Sequence, residues 1–407
     1  MKCRHCKEEL VHDFLDLGFA PPSNAYITHD DNNKSEIYFP LRLKVCSTCW
    51  LVQTEDYSSA SELFTSDYAY FSSTSSSWLR HACNYVDKMI SELGLNTSSF
   101  VVELASNDGY LLKNFIQKSI PCLGIEPTDS TAIAAEAIGV PTLREFFGEK
   151  LAEQLVSEQK QADLIAGNNV YAHVPDINDF TKGIKKLLRP EGTVTLEFPH
   201  LLKLISLNQF DTVYHEHYSY LSLSTVRKIF ASAGLRVYKV DEIDTHGGSL
   251  RIYGCHEEST REVDSSVDKI LNDEKLAGMQ NIDIYLGFQQ KADKTKYDFL
   301  SFLIEQKKLG KKVIGYGAAA KGNTLMNYAG IKPDMIPFVC DLAKSKQNKF
   351  LPGSHIPVVT PEEGFAYKPD YIVIFPWNIK EEVMSDWKMI HQWGGHFVVA
   401  VPFLQII

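Results

Sequence analysis

Two segments of this chain share one order of parts: an apolar run, a turn of small residues, a helix-forming stretch, and a second apolar run closed by an acid. In the first, Ser99 to Leu104 gives way to Ala105-Ser106-Asn107-Asp108-Gly109, a helix from Tyr110 to Gln117, and Cys122 to Ile125 ending in Glu126-Pro127. In the second, Lys312-Val313-Ile314-Gly315-Tyr316-Gly317-Ala318-Ala319-Ala320-Lys321 leads to Phe338-Val339-Cys340-Asp341. Buried parallel strands read as short continuous apolar runs, and joining them takes a crossover, usually helical. The fold class is therefore α/β with two such units, and ligands belong at the carboxyl ends of their strands.

The first unit continues with strands over Pro141–Leu143, Ala162–Ala166 and Thr193–Phe198, a helix over Ser224–Ala233 stopped by Gly234, and a strand over Leu235–Val240. Ser249–Tyr253 fits an antiparallel last strand. The turn after Leu104 lacks the GxGxxG pattern that lets backbone wrap a pyrophosphate. Glu103 would also sit badly beside two phosphates. An acid before Ser-Asn-Asp-Gly suits a nucleoside cofactor with a cationic amino-acid tail, S-adenosylmethionine, and Glu126 is placed to hold ribose hydroxyls.

The second unit does match GxGxxA, with Asp341 about 20 residues on. Alone it reads as an NAD site. Lys321 and Asn323 at the start of the following helix add a cation and a donor for a diphosphate. Asp370–Phe375 is a further strand, with Pro376-Trp377-Asn378 at its tip, and a polar helix-forming stretch from about Glu262 to Lys308 separates the two units.

Ahead of both lie Cys3-Arg4-His5-Cys6 and Cys46-Ser47-Thr48-Cys49. Two CxxC pairs supply the four thiolates of a tetrahedral zinc site, and four sulfurs leave no open position for catalysis. A redox CxxC needs only one pair beside a βαβ unit, and none precedes Cys46. Cys83, Cys122, Cys255 and Cys340 read as core residues.

A chain of 407 residues is too long for one core, and its 44% hydrophobic and 23% charged content is that of a globular protein. Net charge of −10 argues against a nucleic-acid partner. No run approaches the roughly 18 apolar residues of a membrane span. Without an export signal, a soluble cytoplasmic protein with reduced thiols is expected. The expected domains are 1–75, 76–262 and 263–407.

The richest chemistry is in Phe210-Asp211-Thr212-Val213-Tyr214-His215-Glu216-His217-Tyr218-Ser219-Tyr220, just past the fifth strand. Two histidines, two carboxylates and three tyrosines there can move protons. Alternating His215 and His217 could also ligate a metal, although no third ligand stands at motif spacing.

Together these parts resemble the sugar C-methyltransferases that act on nucleotide-linked 4-keto-deoxysugars. The resemblance spans the whole chain and is sharpest over Glu103–Gly109, Tyr214–Tyr220, His246-Gly247-Gly248-Ser249-Leu250-Arg251 and Gly315–Asn323. Ala105 stands where that family more often has glycine. The resemblance implies methyl transfer from S-adenosylmethionine to C3 of the sugar, with the nucleotide-sugar, not NAD, on the C-terminal unit.

It implies His217 as the base that removes the C3 proton, with Glu216 and Tyr214 in support and His215 structural. His173 follows the fourth strand and is placed to donate to the C4 oxyanion, and Tyr68 joins the site from the first lobe. The implied cofactor contacts are Glu103, Ala105, Ser106, Asn107, Asp108, Glu126, Pro127 and Asn168. The implied substrate contacts are His246, Ser249, Arg251, Lys321, Asn323, Asp341 and Asn378. Zinc falls to Cys3, Cys6, Cys46 and Cys49. The partner is a nucleotide-diphosphate sugar, with no nucleic acid or membrane, and a monomer suffices. The rival readings are an NAD-dependent nucleotide-sugar oxidoreductase or epimerase, and a non-enzymatic binding protein.

Overall fold

The computed structural model describes residues 1–55, 57 and 71–407. Strands β1 (His12–Ala20), β2 (Phe39–Val45) and β3 (Val52–Thr54) form an antiparallel meander beside the cysteine pairs. The helix Ser76–Leu93 then crosses to the central lobe. Ser75 caps it by accepting from the Trp78 N–H, and Gly94 ends it at φ +65°. Ala82, Tyr85, Val86 and Met89 recur at helical spacing and are buried.

The central sheet contains β4 (Val101–Leu104), β5 (Cys122–Ile125), β6 (Thr142–Leu143), β7 (Ala162–Asn168) and β8 (Leu188–Pro199), with β10 and β11 below. After β8 the chain leaves this sheet. The helix Leu201–Ser206 and the 3-10 turn Phe210–Thr212 pack in the core of the outer lobes, through Leu204, Phe210 and Val213. Strand β9 (Ser219–Tyr220) then pairs antiparallel with β3, as a fourth strand of the N-terminal sheet. The chain returns through the helix Leu223–Ser232 to β10 (Leu235–Ile243) and β11 (Ser249–His256).

The resulting order is β10-β11-β8-β7-β4-β5-β6, with β11 antiparallel to both neighbours. This is the class I methyltransferase arrangement, with the last strand in sequence inserted inside the edge. The strand after the fourth is longer than expected, twelve residues rather than six, because β7 also pairs with it at Leu188 and β11 carries the pairing on to Pro199.

Helices Ser265–Leu276, Asp283–Leu286 and Phe288–Lys308 fill the polar stretch. The last unit orders β12 (Val313–Tyr316), β13 (Val339–Cys340), β14 (Val358–Val359), β15 (Tyr371–Ile374), β16 (His396–Val399) and β17 (Gln405–Ile406) as 14-13-12-15-16-17. All pairs but the last are parallel.

The first and last lobes share one core. Phe14 of β1 stacks on Phe288 at 4.8 Å, and Leu43, Phe210, Phe299 and Val313 belong to the same buried cluster. The boundary of the central lobe is thus broken by residues 201–220, which contiguous expected domains did not anticipate. Cys122, Cys255 and Cys340 are buried, but Cys83 is exposed on its helix and is no core residue. No helix among the described residues is long and apolar enough to cross a membrane.

Candidate active site

The ends of β4, β5, β7 and β8 open into a cavity of about 410 Å³, roofed by Asn24 of the first lobe and by Ala319, Ala320, Lys321 and Lys346 of the last. That size suits a small organic ligand.

One half is built on the turn after β4. Ala105 and Asn107 both take positive φ, 55° and 49°, so the turn is tight without glycine at position 105. Ala105, Asn107, Glu126, Pro127 and Asn168 line the cavity. Glu126 accepts from the Asn107 and Thr128 N–H groups at 2.9 and 3.0 Å. Three expected cofactor contacts lie behind this lining. Ser106 fills the space over Gly124, and a Cβ there would stand 2.3 Å from Ser106 Oγ. Asp108 accepts from the Ser73 N–H at 3.0 Å, which ties down the segment before the first central helix.

Glu103 is 1% exposed. Burial, then the neighbouring charge of Glu126, pushes its carboxyl well above the usual range; Tyr110 offsets this only in part. Both side-chain polar atoms of Asn168, Oδ1 of Asn169 and Oγ of Ser106 are buried with no hydrogen-bond partner among the described residues. Such atoms cost free energy unless a ligand or water meets them. The donor and acceptor set fits the adenosine and amino-acid ends of S-adenosylmethionine, and the acids fit its cationic tail.

The other half carries the histidines. His217 and His173 meet edge to face, centroids 4.5 Å apart, and Tyr214 lies 4.7 Å from His217. Burial, then the adjacent His173 and His246, drives the His217 pKa well below its usual value, and a bond to the Thr212 main chain opposes this. Burial lowers His173 to about 4. Its Nδ1 lies 2.8 Å from the Glu216 carbonyl oxygen. A carbonyl only accepts, so Nδ1 carries the proton and Nε2 of the neutral ring does not. This corrects the expected role: neutral His173 cannot donate Nε2–H to an oxyanion. Tyr214 can. Its pKa is pushed far up by burial and then by Asp211, so its hydroxyl keeps its proton.

Glu216 is held by Asn24, whose Nδ2 donates to both carboxylate oxygens at 3.0 and 2.9 Å. His215 turns away, with Nε2 3.2 Å from the Phe39 carbonyl oxygen, so it shares no metal with His217. His246 lines the cavity at φ +53°, with Nε2 3.1 Å from Asn169 Nδ2.

Lys321 projects from the start of the helix Ala320–Ala329, 4.1 Å above the Trp377 ring, and donates to Asn378 Oδ1 at 2.7 Å. Burial lowers it to about 8, with Asp211 opposing. Asn378 thus reaches the cavity only through Lys321.

Besides Asn378, the structure removes four expected substrate residues from the cavity lining. Arg251 donates to the buried Glu197 at 2.6 Å, and Ser249 Oγ bonds the Thr245 carbonyl. Both strand neighbours are spent on the sheet. Asn323 donates to the Ser23 carbonyl at 2.6 Å, pinning the outer lobes together. Asp341 accepts from the Ala318 and Ala343 N–H groups, both at 2.7 Å. It therefore bonds its own turn where a dinucleotide ribose would need it. The motif glycines have another cause as well: a Cβ on Gly315 would meet the Phe375 ring at 2.6 Å, and one on Gly317 the Pro376 ring at 2.4 Å. They admit the tip of β15 rather than a pyrophosphate. Tyr68 lies outside the described residues.

Asn24, Trp78, Asn169 and Lys346 also line the cavity and were not expected. Only Trp78 carried a signal, a large aromatic directly after a serine run.

In the first lobe, the sulfurs of Cys3, Cys6, Cys46 and Cys49 lie within 4.8 Å of one another, with Cys3–Cys49 at 3.5 Å and Cys6–Cys46 at 3.4 Å. Zinc–sulfur bonds of about 2.3 Å in a tetrahedron place sulfurs about 3.8 Å apart. The four thiols fit the metal.

Comparison with known proteins matches this layout. C-methyltransferase NovU of Streptomyces niveus is 32% identical over 406 residues, which covers all of this chain and 96% of that protein. The chain belongs to this C-methyltransferase family. Family profiles match as "Putative zinc binding domain" over residues 3–64, "Methyltransferase domain" over 78–240 and "C-methyltransferase C-terminal domain" over 244–402. The protein is thus a methyltransferase, with S-adenosylmethionine as methyl donor and zinc in the four-cysteine lobe.

Among solved structures, magnesium protoporphyrin IX methyltransferase of Synechocystis with bound SAM is 13% identical over 44% of this chain and 79% of its own, at a TM-score of 0.34. A methyltransferase of Clostridium acetobutylicum is 10% identical over 44% and 92%, at 0.36. At such scores the strand order described above, not these likenesses, carries the fold.

Proposed function

We propose that the protein methylates C3 of a nucleotide-diphosphate-linked 4-keto-deoxysugar. The observation that carries this is one cavity holding a neutral imidazole, a protonated tyrosine beside it, and a cation on the opposite lobe.

Carbon becomes nucleophilic next to a ketone only if its proton is removed while the oxygen charge is stabilised. His217 takes the C3 proton. Tyr214, within one ring contact of His217, donates to the C4 oxygen as the enolate forms. Glu216 accepts from Asn24 and fixes the backbone on which both neighbours sit; its carbonyl also holds the His173 ring. His173 then packs the far side of His217 and keeps it dry and neutral. Lys321 and Lys346 supply positive charge for the diphosphate. Asn107, Glu126 and Asn168, with Glu103 behind them, would hold S-adenosylmethionine, which would supply the methyl group. The enolate carbon displaces S-adenosylhomocysteine, and the proton remains on His217.

The oxidoreductase reading has little support, because Asp341 and the glycine turn are occupied by the chain itself. The test is incubation with S-[13C-methyl]adenosylmethionine and thymidine- or guanosine-diphosphate 4-keto-deoxysugars. A new methyl carbon bonded to C3 is the expected product. Stabilisation by NAD, with no response to S-adenosyl ligands, would overturn the reading.

A further inference from the structure

Arg4 stands between the two cysteines of the first pair, yet its side chain points into the protein and is 7% exposed. Its guanidinium donates to the Pro175 carbonyl at 2.7 Å and the Thr54 carbonyl at 3.2 Å, and it lies 5.3 Å from the Tyr218 ring centroid. Pro175 is two residues past His173. Tyr218 is one residue past His217. Thr54 ends β3, the strand that holds β9 immediately after the catalytic segment. One side chain therefore touches both segments that carry the facing histidines.

Arg4 is itself fixed from the metal side. Its N–H donates to Gln53 Oε1 at 2.8 Å, and Gln53 Nε2 donates to Cys3 Sγ at 3.3 Å. His5 adds a second clamp: its Nδ1 is 2.8 Å from Asn178 Oδ1, and Asn178 Nδ2 donates back to the His5 carbonyl at 2.9 Å. The helix Ile177–Leu187, which starts just beyond Pro175, is thereby locked to the same knuckle.

The His173 and His217 rings meet edge to face, and the His173 ring is held by the main-chain carbonyl of Glu216, next to His217. Their separation follows from the two main chains. We propose that Arg4 is a positioning residue for methyl transfer, through which the four-cysteine clip sets the spacing of His217 and His173. This rests on the proposed roles of those histidines. It gives the clip a part in the chemistry although its four sulfurs leave no open position for catalysis. A planar guanidinium can bridge two carbonyls under an aromatic face; a lysine ammonium is a single point charge on a flexible stem.

The test uses the full chain with Arg4→Lys, Arg4→Ala and Tyr218→Leu. Zinc per chain, S-adenosylhomocysteine affinity, kcat, KM and the histidine ring resonances are measured together. The expected result for Arg4→Lys is wild-type zinc content and S-adenosylhomocysteine affinity, displaced His173 and His217 resonances, and a kcat lower by about ten- to a hundredfold, the range that small misplacements produce. KM should change little, and added guanidinium should restore part of the Arg4→Ala loss. Unchanged kcat and unmoved resonances with zinc retained would overturn the proposal. So would a kcat that falls only in step with zinc content. If Arg4→Lys does not fold, Tyr218→Leu, which removes the aromatic face but keeps the fork, is judged on the same criteria. If the wild type transfers no methyl group, the functional reading fails, and the histidine resonances alone decide whether Arg4 sets their spacing.

Discussion

At the scale of single residues, protonation states separate the roles. His217 has its pKa driven down by burial and by two neighbouring histidines, so it is a free base throughout the neutral range. Activity should be lost on acidification only as pH falls through that lowered value, well below the ordinary imidazole midpoint. The alkaline side belongs to Lys321, lowered to about 8. As pH rises through 8 its charge is lost, and kcat/KM for the nucleotide-sugar should fall. The bound diphosphate favours the ammonium, so the same limb in kcat should lie higher, and Lys321→Arg should abolish it in both. A pH–rate profile of wild type and variant checks this; an alkaline limb that survives Lys321→Arg would assign it elsewhere. Glu126→Ala should weaken S-adenosylmethionine binding about ten- to a hundredfold, roughly the 1.5–3 kcal/mol of a charge-assisted contact, as calorimetry would read. The chemistry of 214–217 was legible in the sequence because few other segments concentrate such groups. The His173 proton was not legible, because it depends on a carbonyl 43 residues away in sequence.

At the scale of elements, the strands were readable because burial on both faces forces continuous apolar runs. What the sequence did not reveal was which turns serve a ligand and which serve packing. The HGGS turn illustrates this. Gly247 takes φ +88°, and a Cβ there would meet Trp377 at 2.5 Å, so the glycine lets the last lobe seat against the central one. Gly247→Ala should raise the KM for the nucleotide-sugar more than that for S-adenosylmethionine; equal effects would mean a general loss of fold. Likewise Glu274, 1% exposed, accepts from the Leu223 and Ser224 N–H groups at 2.6 and 2.9 Å and from His200 Nε2 at 2.8 Å. It caps the helix after the catalytic segment. Glu274→Ala strands three buried donors and should cost about 2–5 kcal/mol in denaturant unfolding. A cost under about 1 kcal/mol would show that the donors find other partners.

At the scale of the whole molecule, the cavity depends on all three lobes. The central sheet supplies the floor, Asn24 of the first lobe grips Glu216, and the last lobe brings Lys321. Residues 201–220 bind these together, because they run through the core of the outer lobes before joining the N-terminal sheet. This exchange was invisible in the sequence, where those residues simply follow β8. Zinc removal by a chelator should therefore lower both the melting temperature and the activity of the chains that remain folded. Proton removal by His217 is the central step of the proposed reaction. With S-adenosylmethionine absent, wild-type enzyme in deuterated water should exchange the C3 proton of the 4-keto sugar nucleotide for deuterium, and His217→Ala should not. Exchange at an undiminished rate in folded His217→Ala would contradict the assignment of the base, and with it the mechanism.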